Sequence, residues 1–368
     1  MKAIISGGGT GGHIFPAIAI ANALMEKDSS NEILFVGAKG KMEMEKVPEA
    51  GYSIIGLPIR GIQRSLSIAN LKVPFLLIQS LIISRKTIKK FKPDIAIGVG
   101  GYASAALVYT ATFMGVKTII QEQNSFPGIT NKILSKRVNR IYVAFANMDR
   151  FFPKEKIRLL GNPIRKDILS GQPKSQESLN HFKLDRNRKT LLALGGSLGA
   201  RTINRCMIKL MPVLDELNLQ LIWQCGKNSA DRLTHEVEDS GYDHVHLYPF
   251  IKRMDLAYAA SDIIISRAGA LSVSEIMTLK KPAILIPSPN VAEDHQTKNA
   301  KALTEQGAAI LLEDKLAEEN ILPLITELVS NDQRLEEIKM RLEGVYSNTN
   351  AAMDIANEIE DLIGDGTN

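Results

Sequence analysis

Apolar residues along this chain gather in short runs separated by stretches where they recur at helical spacing. Residues 2–6 (KAIIS) read as a short strand, and a glycine-dense stretch at 7–12 follows it. From 14 to 27, Ile14, Ile18, Ala21 and Met25 recur on one helical face. Further apolar runs at 32–36, 94–99, 117–121 and 140–143 predict strands, with a helix over 103–113. The pattern then restarts. Residues 189–194 (KTLLAL) predict a strand, 195–199 (GGSLG) a second glycine loop and 200–210 a helix. Runs at 220–224, 244–247, 262–266 and 282–286 supply more strands, with helices between them.

Apolar strands alternating with helices imply parallel sheets covered on both faces, the α/β doubly wound class. Two halves that each begin strand, glycine loop, helix predict two Rossmann-like domains facing a cleft. The length of 368 residues agrees with two domains. Gly161-Asn162-Pro163 is a natural joint, because Pro163 restricts Asn162 and Gly punctuates. The expected division is 1–162, 163–345 and a C-terminal segment 346–368. The helix of that segment, about 351–363, is expected to pack back on the N-terminal domain. The stretch 171–188 is polar and predicts a surface loop with a short helix.

Charge changes this picture in one region. The net charge is +5, yet residues 50–93 hold no Asp or Glu and eight Lys or Arg, so the rest of the chain carries −3. Inside that stretch, 71–83 (LKVPFLLIQSLII) is the most apolar helix candidate in the chain. It is apolar around more than one face, which leaves side chains such as Val73, Leu76 or Leu77 for lipid. With flanking Lys and Arg, it predicts contact with an anionic membrane surface through 71–92. Nucleic acid is the other partner of a basic stretch, but no aromatic stacking platform accompanies it, and no nucleic-acid partner is expected. No apolar run reaches the ~20 residues of a spanning helix, and no signal-peptide layout opens the chain. Cys206 and Cys225 read as two free thiols. The expected location is the cytoplasmic side.

A glycine loop between a strand and a helix offers free backbone N–H groups and the positive end of the helix dipole, an anion site. Gly7-x-Gly9-x-x-Gly12 matches the dinucleotide fingerprint, and Gly98-x-Gly100-x-x-Ala103 its looser form. The ribose-binding acid expected at the end of the second strand is missing, since Glu32 lies at that strand's start. No Gly-Lys-Ser/Thr follows either loop, which excludes a P-loop. No Asp-x-Asp pair occurs, so a diphosphate would be neutralised by helix ends and Arg rather than through a metal. His244 and His246 share one strand face but have no third ligand at metal spacing, and no metal site is expected.

Five motifs in order carry a family resemblance: GGGTGGH at 7–13, QEQN at 121–124, GNPIR at 161–165, GGSLGAR at 195–201 and SRAGALSVSE at 266–275. Together they resemble the MurG family of GT-B glycosyltransferases, nearly end to end. That family adds N-acetylglucosamine to the undecaprenyl-linked muramyl peptide of peptidoglycan synthesis. The resemblance implies a UDP-GlcNAc donor, a lipid-linked muramyl pentapeptide acceptor, no cofactor, and a peripheral position on the cytoplasmic face of the cell membrane. It implies donor contacts from Ser197 to the diphosphate and from the backbones of Ala270, Leu271 and Ser272 to phosphate. Glu275 would accept the ribose hydroxyls, Ile251 would present its backbone to uracil, and Gln296 would hold the sugar. Arg165 would reach in from the joint, and Thr10, Gly11, Gly12 and Asn124 would contact the donor from the N-terminal side. Arg267 is a candidate phosphate partner. His295 departs from the Gln found beside Gln296 in some members.

The same resemblance gives the first loop, Gly9, Thr10, Gly11, Gly12 and His13, to the acceptor's diphosphate. An α-linked donor and a β-linked product require one in-line displacement, hence a base near the acceptor hydroxyl and stabilisation of the departing UDP. His13 is the titratable candidate for the base; the competing role is a hydrogen bond to acceptor phosphate or a helix cap. A UDP-GlcNAc 2-epimerase, a lipid glucosyltransferase, an NAD oxidoreductase and a non-catalytic nucleotide-binding scaffold are the rival readings.

Overall fold

The computed structural model describes residues 1–61, 72–169, 171–196 and 198–364. Ser197 and Leu71, both singled out above, lie outside the described residues. The chain divides into two compact units, 1–164 with 348–368, and 165–347. The first joint therefore falls after Ile164, two residues beyond the expected one. The return falls between Ser347 and Asn348.

Unit 1 contains β1 (Lys2–Gly7), β2 (Glu32–Ala38), β3 (Ser53–Leu57), β4 (Ile95–Gly100), β5 (Lys117–Glu122), β6 (Arg140–Val143) and β7 (Ile157–Leu159). They form one sheet in the order β3-β2-β1-β4-β5-β6-β7, every pair parallel. Unit 2 repeats the plan with β8 (Lys189–Leu194), β9 (Leu219–Gln224), β10 (Val245–Tyr248), β11 (Ile263–Ser266), β12 (Ala283–Leu285) and β13 (Ile310–Leu311). Its order is β10-β9-β8-β11-β12-β13, again all parallel.

Alternation along β1 explains why its sheet is central. Ala3 and Ile5 point into one core with Ile14, Ala17 and Ile20 of the helix Gly11–Lys27. Ile4, between them, points into a second core with Ile88, Ala103 and Leu107. Each fully buried aliphatic side chain contributes ~1.5–3 kcal/mol, so a strand sandwiched this way is fixed from both faces. The last helix, Ala351–Gly364, contributes Ile355, Ala356, Ile359 and Leu362 to the first core. It therefore belongs to unit 1, and Lys27 ties it down through Glu360 and Asn357.

The strand order reverses beside β1 in unit 1 and beside β8 in unit 2. Ligands of open α/β sheets bind outside the carboxyl ends of the strands at such reversals. Gly7 pairs with Gly100 at the ends of β1 and β4, and Leu194 pairs with Ser266 at the ends of β8 and β11. The glycine loops after β1 and β8 therefore leave the sheets at the reversal points, each beside the loop of a neighbouring strand.

The helix Val73–Phe91 differs from its sequence expectation. It is longer than expected, taking in the basic residues Arg85, Lys86, Lys89 and Lys90. Its buried positions are Ser80, Ser84, Thr87 and Ile88, largely polar. Its exposed positions include Phe75, Leu77, Ile78 and Ile82, with Phe75 70% exposed. Val73 and Leu76 are half-buried, so of the three side chains expected at lipid, Leu77 alone is exposed. Phe75 and two isoleucines join it. Among the described residues no helix is long and apolar enough to cross a membrane.

Candidate active site

In unit 2 the loop after β11 enters the helix Ala270–Leu279. Its first intrahelical bond runs from Val273 N–H to the Gly269 carbonyl. The N–H groups of Ala270, Leu271 and Ser272 thus have no acceptor within the helix, and no acid lies in the first turn. Glu275 stands one turn further on. One of its oxygens, Oε2, accepts the Tyr258 hydroxyl at 2.7 Å. Burial pushes the Glu275 carboxyl up to about 7, against the opposing effects of the Tyr258 hydrogen bond and the Arg165 charge. The Tyr258 hydroxyl is likewise pushed well above its ordinary range, first by burial and then by the Glu275 charge. Arg165 thus acts on both groups, and its own side chain is 43% exposed beside Asp167. The resemblance named Glu275 and Arg165 but not Tyr258, which sits in an unremarkable helical stretch, Met254–Ala260.

The other donor candidates are partly engaged. The Ile251 N–H donates to Gln224 Oε1 at 2.9 Å, which leaves its carbonyl as the backbone group for a uracil. Gln224, at the end of β9, was not anticipated. Gln296 Oε1 accepts the Ser288 N–H at 2.8 Å, which leaves its amide nitrogen for sugar hydroxyls. Arg267 corrects its sequence expectation. Its guanidinium donates to the carbonyls of Ile286 and Pro287 and pairs with Asp314, so it is a structural link within unit 2. Gly199 packs closely on the backbone that follows β9: a Cβ on it would come within 2.3 Å of the Cys225 carbonyl oxygen. The helix after it, Arg201–Leu210, also has an acid-free first turn.

In unit 1 the loop after β1 leads into the helix Gly11–Lys27 with Thr10 at the N-cap. The Thr10 side chain makes no capping bond, and no acid occupies the first turn. The Thr10 carbonyl accepts from His13 and Ile14, so the N–H groups of Gly11 and Gly12 have no acceptor within the helix. Gly9 is a correction. Its N–H donates to Glu43 Oε2 at 3.0 Å and is not available to a phosphate. His13 Nδ1 lies 2.9 Å from the Gly8 carbonyl oxygen. A carbonyl only accepts, so Nδ1 carries the proton and Nε2 is the unprotonated nitrogen of the neutral ring. Gly100 makes room for this ring: a Cβ there would come within 2.7 Å of Nε2.

The motif at 121–124 is largely structural. Buried Glu122 accepts from Asn124 N–H and Nδ2, Gly128 N–H and Asn131 Nδ2. Burial nevertheless holds its carboxyl above the usual range. Asn124, expected at the sugar, thus has its amide nitrogen on Glu122. Gln121 donates to Asn162 Oδ1 at 2.8 Å, and Asn162 donates to the Gln123 carbonyl at 3.0 Å. These bonds fasten the joint to the sheet of unit 1. Among the described residues no group of three His, Cys, Asp or Glu could hold a metal ion.

Comparison with known proteins agrees with this layout. The glycosyltransferase family 28 N-terminal domain matches residues 3–143, and the C-terminal domain of that family matches 190–359. A UDP-N-acetylglucosamine–N-acetylmuramyl-(pentapeptide) pyrophosphoryl-undecaprenol N-acetylglucosamine transferase of Flavobacterium psychrophilum is 50% identical over 362 residues, 98% of each chain. The chain belongs to glycosyltransferase family 28. A relative of the same name from Parabacteroides distasonis is 48% identical, again over 98% of each chain. The crystal structure of Acinetobacter baumannii MurG superposes with a TM-score of 0.79 at 29% identity, over 98% of this chain and 99% of that one. A putative UDP-N-acetylglucosamine 2-epimerase of Listeria monocytogenes reaches a TM-score of 0.71 at 13% identity, over 99% and 97% of the two chains, a likeness of fold alone. The two all-parallel sheets are the two halves of the GT-B fold, and the family places a UDP-sugar glycosyltransferase on them.

Proposed function

We propose that this protein transfers N-acetylglucosamine from UDP-GlcNAc to the 4-hydroxyl of the muramyl sugar in undecaprenyl-diphospho-muramyl pentapeptide, with inversion at C1. The observation that carries this reading is the placement of Glu275. A carboxylate that can accept two ribose hydroxyls stands one turn from three open helix N–H groups, a seat for a nucleoside diphosphate. The names borne by relatives at about half identity supply the substrate pair.

In this reading the donor lies on unit 2. Ala270, Leu271, Ser272 and Ser197 meet its diphosphate, Glu275 its ribose, the Ile251 carbonyl its uracil and Gln296 its sugar. Arg165 adds positive charge. The acceptor's diphosphate is held by Gly11 and Gly12 with Thr10. His13 Nε2 takes the proton of the attacking hydroxyl as the O4–C1 bond forms and the bond from C1 to UDP breaks. The helix N-termini then carry the charge of the departing UDP, a role this reading assigns to them and to Arg165 rather than to a metal. With UDP-GlcNAc and a prenyl-diphospho-muramyl pentapeptide, UDP should appear at a rate set by the acceptor. UDP release indifferent to the acceptor would refute the reading.

The lipid acceptor requires contact with a bilayer, and the reading places the protein on the cytoplasmic face of the cell membrane. The exposed Phe75, Leu77, Ile78 and Ile82 would enter the interface. Exposed Arg85, Lys86, Lys89 and Lys90 on the same helix would meet anionic headgroups, at ~1 kcal/mol each. Vesicles rich in anionic lipid should bind the protein, and Phe75→Ser with Ile78→Ser should weaken that binding at any salt concentration. Changing Lys86 and Lys89 to Glu should weaken it and flatten its salt dependence. Vesicle binding unaltered by both pairs would sink the assignment.

A further inference from the structure

Glu43 is fully buried and lies on a short helix, Glu43–Glu49, whose sequence EMEKVPE reads as a solvated charged segment. Its carboxylate instead reaches two backbone groups. Oε1 accepts the Ala38 N–H at the end of β2, and Oε2 accepts the Gly9 N–H, each at 3.0 Å. The fit is close enough to dictate sequence. A Cβ on Gly8 would lie 2.1 Å from Oε1, and one on Gly37 would lie 2.5 Å from Cγ.

The Gly9 N–H and the Gly8 carbonyl are the two ends of one peptide group. Glu43 accepts at one end, and His13 Nδ1–H donates at the other. Hydrogen bonds in such a chain polarise one another, so a negative charge on the N–H side makes the carbonyl a stronger acceptor. We infer that Glu43 is a positioning residue for His13, acting through the Gly8–Gly9 peptide to hold the imidazole in the Nδ1–H tautomer with Nε2 as the basic nitrogen. The arrangement parallels a carboxylate–histidine pair, with one peptide group inserted between the two partners. It also explains the loop's composition, since Gly8 is needed for the carboxylate rather than for a bound anion. The inference rests on the assignment of His13 as the base.

The test is nitrogen-15 NMR of the full-length protein with labelled histidine at mildly alkaline pH, the His13 signals being identified by their loss in His13→Gln. The native protein should show a protonated Nδ1 and an unprotonated Nε2. In Glu43→Gln these signals should move toward a mixture of tautomers. Its kcat should fall by about 10- to 100-fold, the loss typical when the outer-shell partner that orients a metal-bound histidine is changed, with donor KM unchanged. Glu43→Asp, which keeps the charge, should recover part of both. If Glu43→Gln does not fold, Glu43→Asp is read alone, and its His13 signals must differ from native. His13 signals that ignore residue 43 in a folded variant overturn the inference, even if kcat falls. Full kcat in His13→Gln would instead remove the base assignment and leave the tautomer result standing, so the two failures are distinguishable.

Discussion

Replacing His13 by Gln should lower kcat by about 10²-fold or more while leaving the KM for UDP-GlcNAc nearly unchanged. Gln keeps a side-chain N–H that can donate to the Gly8 carbonyl, as His13 Nδ1 does. It offers no basic nitrogen. The acceptor hydroxyl would then have to lose its proton to water while the bond to C1 forms, and that loss falls on kcat. If His13 instead only holds the acceptor's phosphate, the signature differs: acceptor KM rises and kcat is retained. Steady-state kinetics with both substrates varied separates the two, and retained kcat would exclude the base.

A comparable effect is expected at Glu275, in the other kinetic constant. Hydrogen bonds to a charged group are worth ~1.5–3 kcal/mol, so Glu275→Gln should raise donor KM by roughly 10- to 100-fold. The pH dependence follows from the raised carboxyl. Its ordinary value is 4.5 and in the folded protein it is about 7. Between these values the folded state holds a proton that the unfolded chain releases. The native protein is therefore destabilised as pH rises through this window, by ~3 kcal/mol in all, and the effect is flat above it. Gln removes that penalty, so Glu275→Gln should gain melting temperature relative to the native protein on going from acid to mildly alkaline pH. The native donor affinity runs the other way: it should weaken as pH falls below about 7 and the carboxyl takes up its proton. Calorimetric titration with UDP across this range checks it, and a native affinity independent of pH would contradict the ribose role.

The fold was legible because its strands are apolar on both faces. Residues 189–194 read as a strand and are β8, since LLAL can be buried from either side. The strands that escaped notice were at or near the edges of the sheets. β3 is mostly half-exposed, β7 is three residues long and β13 two, too short for any periodicity. The short helix bearing Glu43 escaped for another reason. Its glutamates alternate with Met and Lys, and nothing local shows that Glu43 turns inward while Glu45 stays at the surface.

The first glycine loop and His13 were singled out from local pattern, and Glu275, Ala270, Leu271 and Ser272 from the family resemblance. Their partners were not. Tyr258 meets Glu275 from 17 positions away, Gln224 meets Ile251 from 27 and Glu43 meets Gly9 from 34. Those pairings depend on which loops the strand order brings together, which one sequence does not state. Arg267 is the converse case. It looked available for phosphate because Asp314, its partner 47 residues on, is invisible to any local reading.

The measurement that bears most directly on the whole account is the anomeric proton coupling of the sugar transferred to a prenyl-diphospho-muramyl pentapeptide. From α-linked UDP-GlcNAc, the account predicts one N-acetylglucosamine added at the muramyl 4-hydroxyl with the large coupling of a β linkage. An α-linked product, a different hydroxyl, or no transfer with both substrates present would contradict it.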